Sequence, residues 1–87
     1  MIFPDVEGSA GALDADHQPI GERKPCVFKW GVRDKGWLVE IREPVTLDIS
    51  GLGGVHYVAI YADTGEMMFT LPVVGRPVRG ATLTLGQ

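Results

Sequence analysis

Apolar and polar residues alternate at every second position through most of this chain, in short runs that glycine and proline interrupt. Successive side chains of a β-strand point to opposite faces, so this period predicts strands with one buried face. No long window has apolar residues at helical spacing, and the 12 Gly and 6 Pro among 87 residues disfavour helix further. The alternating runs occupy residues 26–33, 37–42, 45–50, 67–71 and 81–85, and residues 55–62 form a further run that is almost wholly apolar.

Short turn segments separate these runs. Residues 34–36 (Asp-Lys-Gly) and 63–65 (Asp-Thr-Gly) have the composition of tight hairpin turns, in which we expect Gly36 to supply a positive φ. Residues 51–54 form a glycine-rich turn, and residues 55–62 are apolar on both faces, as in a core strand covered from both sides. The sequence therefore predicts an all-β fold, a small antiparallel β-sandwich or barrel of about five to six strands.

The first quarter of the chain differs in charge and in pattern. Residues 1–22 contain five carboxylates and no Lys or Arg, and their isolated apolar side chains fit neither the strand period nor the helix period. We therefore expect residues 1–24 to form an extended acidic N-terminal arm and residues 25–87 to form the β-sandwich domain. The arm is either a loosely ordered terminus or a segment that becomes ordered on a neighbouring subunit, with Ile2 and Phe3 as apolar anchors.

Charged residues at two places suggest a contact between protein subunits. Arg76 and Arg79 make the loop before the last strand basic, whereas Asp14 and Asp16 belong to the acidic first quarter. Opposite charges on two surfaces steer association and fix its register. These four residues, together with the two apolar anchors, are the predicted partner-binding residues, with the arm of one copy lying on the basic loop of another.

The residues capable of catalysis or metal binding do not form a familiar arrangement. Asp14, Asp16 and His17 could ligate a cation, but the segment lacks the spaced later ligands of a calcium loop, and we expect a solvated acidic loop. A single cysteine, Cys26, excludes an intramolecular disulfide and a zinc site built from cysteines. His56 has no Ser, Cys or acidic partner at a catalytic spacing, so we expect no enzyme activity, no cofactor and no metal.

Charge and hydropathy argue against two further classes of partner. A net charge of −3 at pH 7 disfavours nucleic acid, which proteins bind through many Lys and Arg contacts to phosphate. No apolar run approaches the about 18 residues that span a bilayer, and the N-terminus lacks the basic and apolar regions of a signal peptide. We expect a soluble protein that does not bind membranes and is not secreted by the usual route.

Trp30 and Trp37 flank the predicted hairpin turn at residues 34–36, which makes them candidate cross-strand neighbours, and Phe28 shares the face of Trp30. Such aromatic residues either fill the core or form a stacking platform for a sugar or a protein partner. We expect these rings to fill the core.

Three segments carry a resemblance to a known family. These are Pro-Val-Thr-Leu-Asp-Ile-Ser-Gly at 44–51, Ile-Tyr-Ala-Asp-Thr-Gly-Glu-Met at 60–67 and Ala-Thr-Leu-Thr-Leu at 81–85. Together they resemble the small immunoglobulin-like β-sandwich modules of tailed-bacteriophage virion proteins, over residues 44–86. The resemblance implies a non-enzymatic structural protein of a virion. The acidic arm has no counterpart in those modules, and a free-standing small β protein with such an arm resembles capsid decoration or cement proteins.

The resemblance implies partners as well as a location. We expect the protein to be made in the host cytoplasm and to bind the major capsid or tail protein, or further copies of itself, as a homo-oligomer or within a lattice. Capsid decoration is favoured over a tail or baseplate position. The alternative is a small phage-encoded intracellular binder or inhibitor of a host enzyme, since the acidic segment has the charge of a nucleic-acid mimic. A carbohydrate-binding module that uses Trp30 and Trp37 is the third hypothesis.

Overall fold

The computed structural model describes residues 4–34, 36–73 and 80–86. Within these ranges all regular secondary structure is β-strand, and all strand pairs are antiparallel. The predicted all-β class is confirmed, with one strand more than the upper end of the expected number. The strands are β1 (Val6–Leu13), β2 (Pro19–Arg33), β3 (Gly36–Ile41), β4 (Val45–Asp48), β5 (Tyr57–Tyr61), β6 (Met67–Pro72) and β7 (Thr82–Leu85).

The strands form two sheets. Five of them lie in the order β3-β2-β1-β5-β6, and β4 pairs with β7 in a separate two-stranded sheet. The hairpin expected at residues 34–36 joins β2 to β3, but the positive φ of 50° belongs to Asp34 rather than to Gly36. The hairpin expected at residues 63–65 joins β5 to β6, and there Gly65 does have a positive φ, of 90°.

The main core lies between the two sheets. Alternate residues of β4 are buried, and its inward Val45 and Leu47 lie opposite Leu85 and Leu83 of β7. They pack with side chains from the facing side of the large sheet, where alternation along each strand directs one residue in two inward. The buried residues of this side are Ala10, Ala12, Cys26, Phe28, Val58 and Ile60.

β5 is buried on both faces, as expected for residues 55–62. Val58 and Ile60 face the small sheet, whereas Ala59 and Tyr61 belong to a second buried cluster with Leu13 on the outer face. Two side chains from the β1–β2 hairpin help to cover that outer cluster. The guanidinium carbon of Arg23 lies 3.5 Å from the ring centroid of Tyr61, and the ring of His17 stacks on that of Tyr57 at 3.9 Å. A long polar side chain can cover apolar surface while its charged end stays in water.

The prediction of an N-terminal arm over residues 1–24 is wrong for the described part of that segment. β1 is the middle strand of the large sheet, hydrogen-bonded to β2 on one side and to β5 on the other. Ala10, Ala12 and Leu13 are fully or almost fully buried. The expected domain boundary after residue 24 falls inside β2. The chain is integrated into the fold from Val6 onward because small side chains let β1 lie close to both neighbouring strands.

Candidate functional site

Of the six predicted partner-binding residues, the structure describes two, Asp14 and the exposed Asp16, which lie in one turn. Ile2, Phe3, Arg76 and Arg79 lie outside the described residues. Asp14 lies in the turn between β1 and β2, at the end of the sheet opposite the β2–β3 and β5–β6 turns.

Asp14 has a structural role in its turn. Its Oδ1 accepts hydrogen bonds from the backbone N–H of Asp16 at 2.8 Å and from that of Gln18 at 2.9 Å. His17 adopts a positive φ of 61° in this turn. A carboxylate that closes a turn in this way explains the Asp-rich sequence without a ligand. Among the described residues, no three His, Cys, Asp or Glu side chains form a group that could hold a metal ion.

Three aromatic rings meet at the other end of the molecule. The ring centroids of Trp30 and Trp37 are 5.4 Å apart, and those of Trp30 and Phe69 are 5.8 Å apart. Trp37 and Phe69 lie on β3 and β6, the two outer strands of the five-stranded sheet, yet their centroids are only 6.1 Å apart. The sheet therefore curls until side chains from its two edges touch. The rings are tilted or edge-to-face, as aromatic pairs prefer.

The curl leaves an open groove beside these rings. The groove has a volume of about 740 Å³, and Met67 and Met68 line it together with the three rings. Small-molecule sites typically measure about 300–1,000 Å³, so this groove has the size of a ligand site. Trp37 is 64% exposed and Met67 is 40% exposed. We call this feature the aromatic groove.

The expected burial of the two tryptophans is wrong for Trp37. Trp30 is half-buried and packs against the main core, but Trp37 presents most of its surface to solvent. Strand alternation places both rings on the inner face of the large sheet, with Phe69 on the same face. Trp37 stays exposed because the small β4–β7 sheet covers only part of that face.

Polar groups of the β5–β6 hairpin border the aromatic groove. Thr64, Glu66 and Thr70 are among its lining residues. The backbone N–H of Glu66 donates to Thr64 Oγ1 at 3.4 Å, and Thr70 Oγ1 donates to Met67 Sδ at 3.4 Å. Among the described residues that line the groove, Glu66 carries the formal charge. The described lining therefore combines aromatic rings and two methionines with one carboxylate and two hydroxyl groups.

A second, smaller cavity of about 160 Å³ lies beside the turn that follows β4, and Lys24, Asp48 and Ser50 are among its lining residues. Asp48 Oδ1 accepts hydrogen bonds from Ser50 Oγ at 2.7 Å and from the Ser50 backbone N–H at 3.1 Å. These two bonds favour the ionised carboxylate and lower the pKa of Asp48. The arrangement stabilises a turn, and the cavity is too small for most organic ligands.

Replacing Ser50 with alanine should raise the pKa of Asp48 toward its ordinary value, because the side-chain hydrogen bond is the largest cause of the shift. A carboxylate with a lowered folded-state pKa stabilises the fold above its unfolded pKa, and this contribution is lost as pH falls through the folded value. An NMR titration of the Asp48 carboxyl carbon measures the change. Thr84→Ala, which removes a hydroxyl bonded to Thr46 instead, serves as the control and should leave the titration as it is in the unmodified protein.

Cys26 and His56 have structural surroundings. Cys26 is buried in the main core, and burial raises the pKa of its thiol, so the unreactive neutral form predominates near neutral pH. The backbone N–H of His56 donates to the carbonyl of Leu13, which continues the contact between β5 and β1. Cys26 therefore fills the core, and His56 extends the backbone hydrogen bonding between the segment before β5 and the end of β1.

The fold and the aromatic groove together define an all-β domain of two packed sheets with one open, aromatic-lined end. No protein-family profile, curated protein or solved structure matches this chain. Among the described residues there is no helix with the length and apolar character needed to cross a membrane.

Proposed function

We propose that this protein is a non-enzymatic structural component of a bacteriophage virion that binds a repeating capsid or tail protein lattice. The proposal is supported by the resemblance of residues 44–86 to modules of tailed-phage virion proteins. The structural observation that favours a binding role is the open large sheet. No strand among the described residues pairs with the outer side of β3 or of β6.

Strand edges that no other described strand covers suit a lattice-binding protein. The outer backbone N–H and C=O groups of an edge strand can pair with an extended segment of another chain, which adds a strand to the sheet. Because β1 lies inside the sheet, residues 6–13 cannot serve as a detachable arm, and β3 and β6 are the better candidates for the contact. A lattice repeats the same partner surface many times, so even a small contact can give stable decoration.

Mass spectrometry of purified virus particles from the source tests this function. We expect the chain to be present in the particles, and its copy number relative to the major capsid protein identifies its position. A number comparable with that of the capsid protein supports decoration, whereas a small number set by tail symmetry supports a tail or baseplate position. Complete absence from particles would overturn the structural role and favour the intracellular inhibitor.

A further inference from the structure

The aromatic groove has features of a ligand site that the lattice-binding role does not use. Its three rings come from three different strands and fix one another by mutual contact at centroid separations of 5.4–6.1 Å. A wall of rings that is already packed in the free protein loses little conformational freedom when a ligand binds. Trp37 contacts the other two rings and still has 64% of its surface exposed, so a flat indole surface is available to a ligand.

The polar groups of the groove restrict the chemistry of that ligand. Glu66 carries a carboxylate and Thr64 a hydroxyl, and both residues belong to the β5–β6 hairpin and line the groove. Among the described lining residues the charged side chain is that of Glu66, and a carboxylate disfavours anionic ligands such as phosphate and sulfate. A ligand that fits must bring an apolar face for the indole and hydrogen-bond donors for the carboxylate. Neutral sugars have both, because a pyranose ring has a face of C–H groups and a rim of hydroxyls.

We propose that the aromatic groove binds a neutral saccharide, with one pyranose ring stacked on Trp37 and a sugar hydroxyl donating to the Glu66 carboxylate. A hydrogen bond to an ionised group is about twice as strong as a neutral one, so Glu66 orients the sugar while the indole supplies apolar contact. The groove lies along β3 and β6, the outer strands whose edges the lattice-binding role also uses. The two roles are measured separately, sugar binding on the isolated chain and lattice binding by presence in virus particles.

A quaternary ammonium ion is the main competing ligand. Cations bind over aromatic faces within about 6 Å of the ring centroid, and a carboxylate nearby would help. The groove volume of about 740 Å³ is far larger than such an ion requires, and a quaternary ammonium has no N–H or O–H to donate to the Glu66 carboxylate or the Thr64 hydroxyl. The size and the hydroxyl both fit a disaccharide better.

NMR titration of the full chain tests the site, with cellobiose, maltose, lactose and chitobiose as separate probes and tetramethylammonium as the competitor. We expect at least one disaccharide to shift the indole N–H signal of Trp37 in a saturable way. Trp37→Ala should weaken that binding about tenfold or more, and Glu66→Gln should weaken it several-fold. Leu71→Ala is the matched control, because Leu71 is an exposed apolar residue of β6 outside the groove lining, and it should bind like the unmodified protein.

Three results would overturn the proposal. The first is that none of the four disaccharides shifts the Trp37 signal. The second is that tetramethylammonium binds where no sugar does, which would assign the groove to cations. The third is that sugar binding survives Trp37→Ala in a protein whose other signals show an intact fold, because the bound ring would then lie elsewhere.

Discussion

Gly8→Ala should unfold this protein or leave it barely folded. Gly8 lies on β1, and a β-carbon at this position would collide with the backbone carbonyl oxygen of Tyr61 on the neighbouring strand. It would also lie 3.1 Å from a ring carbon of Phe28. Backbone atoms of a paired strand cannot move aside without breaking hydrogen bonds, so we expect a loss of about 3 kcal/mol or more in the free energy of unfolding. A domain of this length has only about 4–13 kcal/mol in total.

Gly36→Ala provides the matched control. Gly36 is an exposed residue of the outer strand β3, and a β-carbon there meets no atom within 4 Å. We expect its stability to lie within about 0.5 kcal/mol of the unmodified protein. Urea denaturation followed by circular dichroism compares the two variants. Equal stability of the two would mean that β1 does not lie between β2 and β5 as described.

The second large effect is expected for Phe28→Ala. Phe28 is fully buried in the main core, where its ring meets the edge of Phe69 at a centroid distance of 6.5 Å. Removing a buried phenylalanine ring costs about 3–5 kcal/mol through lost burial and the cavity left behind. Most of the stability of a small domain would be lost, and thermal unfolding followed by circular dichroism should show a much lower midpoint.

Trp37→Ala is the comparison for Phe28→Ala, because it also removes an aromatic ring from the same face of the same sheet. Trp37 is 64% exposed, so alanine leaves no closed cavity. We expect a loss of about 1 kcal/mol, from the contacts with the neighbouring rings. If both variants lost the same stability, the division of this face into a covered core and an open groove would be incorrect.

Six of the seven described strands could be predicted at least in part, five of them from alternating hydrophobicity and β5 because residues 55–62 are apolar on both faces. Only residues 25–33 of β2 were among them, because residues 19–24 were assigned to the arm. In these strands the positions of the large apolar side chains indicate which face is buried. Gly or Pro residues indicate where most of these strands end. β1 gave no such signal, because residues 8–12 read Gly-Ser-Ala-Gly-Ala and carry almost no hydrophobic volume. Their smallness is what the middle of this sheet requires, since the backbone of β5 approaches Gly8 closely. A run of small residues is therefore the sequence signal of a strand that its neighbours approach closely.

The candidate site could be predicted only in part. The hairpin at residues 34–36 brought Trp30 and Trp37 together as expected, since local pairing follows from turn position. The contact between Trp37 and Phe69 depends on the curl of the whole sheet, which accumulates over several strands. No local sequence pattern predicts this curl. The exposure of Trp37 has the same origin, because it depends on how far the β4–β7 sheet extends over the large one.

The central position of β1 has a consequence for how the chain folds during its synthesis. β1, β2 and β3 follow one another and can pair as soon as they leave the ribosome, but the other side of β1 must wait for β5 from the second half of the chain. Pairing between distant segments is slow, and an open strand edge is a template for pairing with other chains. We therefore expect a period during synthesis in which β1, β2 and β3 are paired and the other edge of β1 can still pair with another chain and aggregate. We expect the speed of translation between residues 42 and 61 to set how long that period lasts.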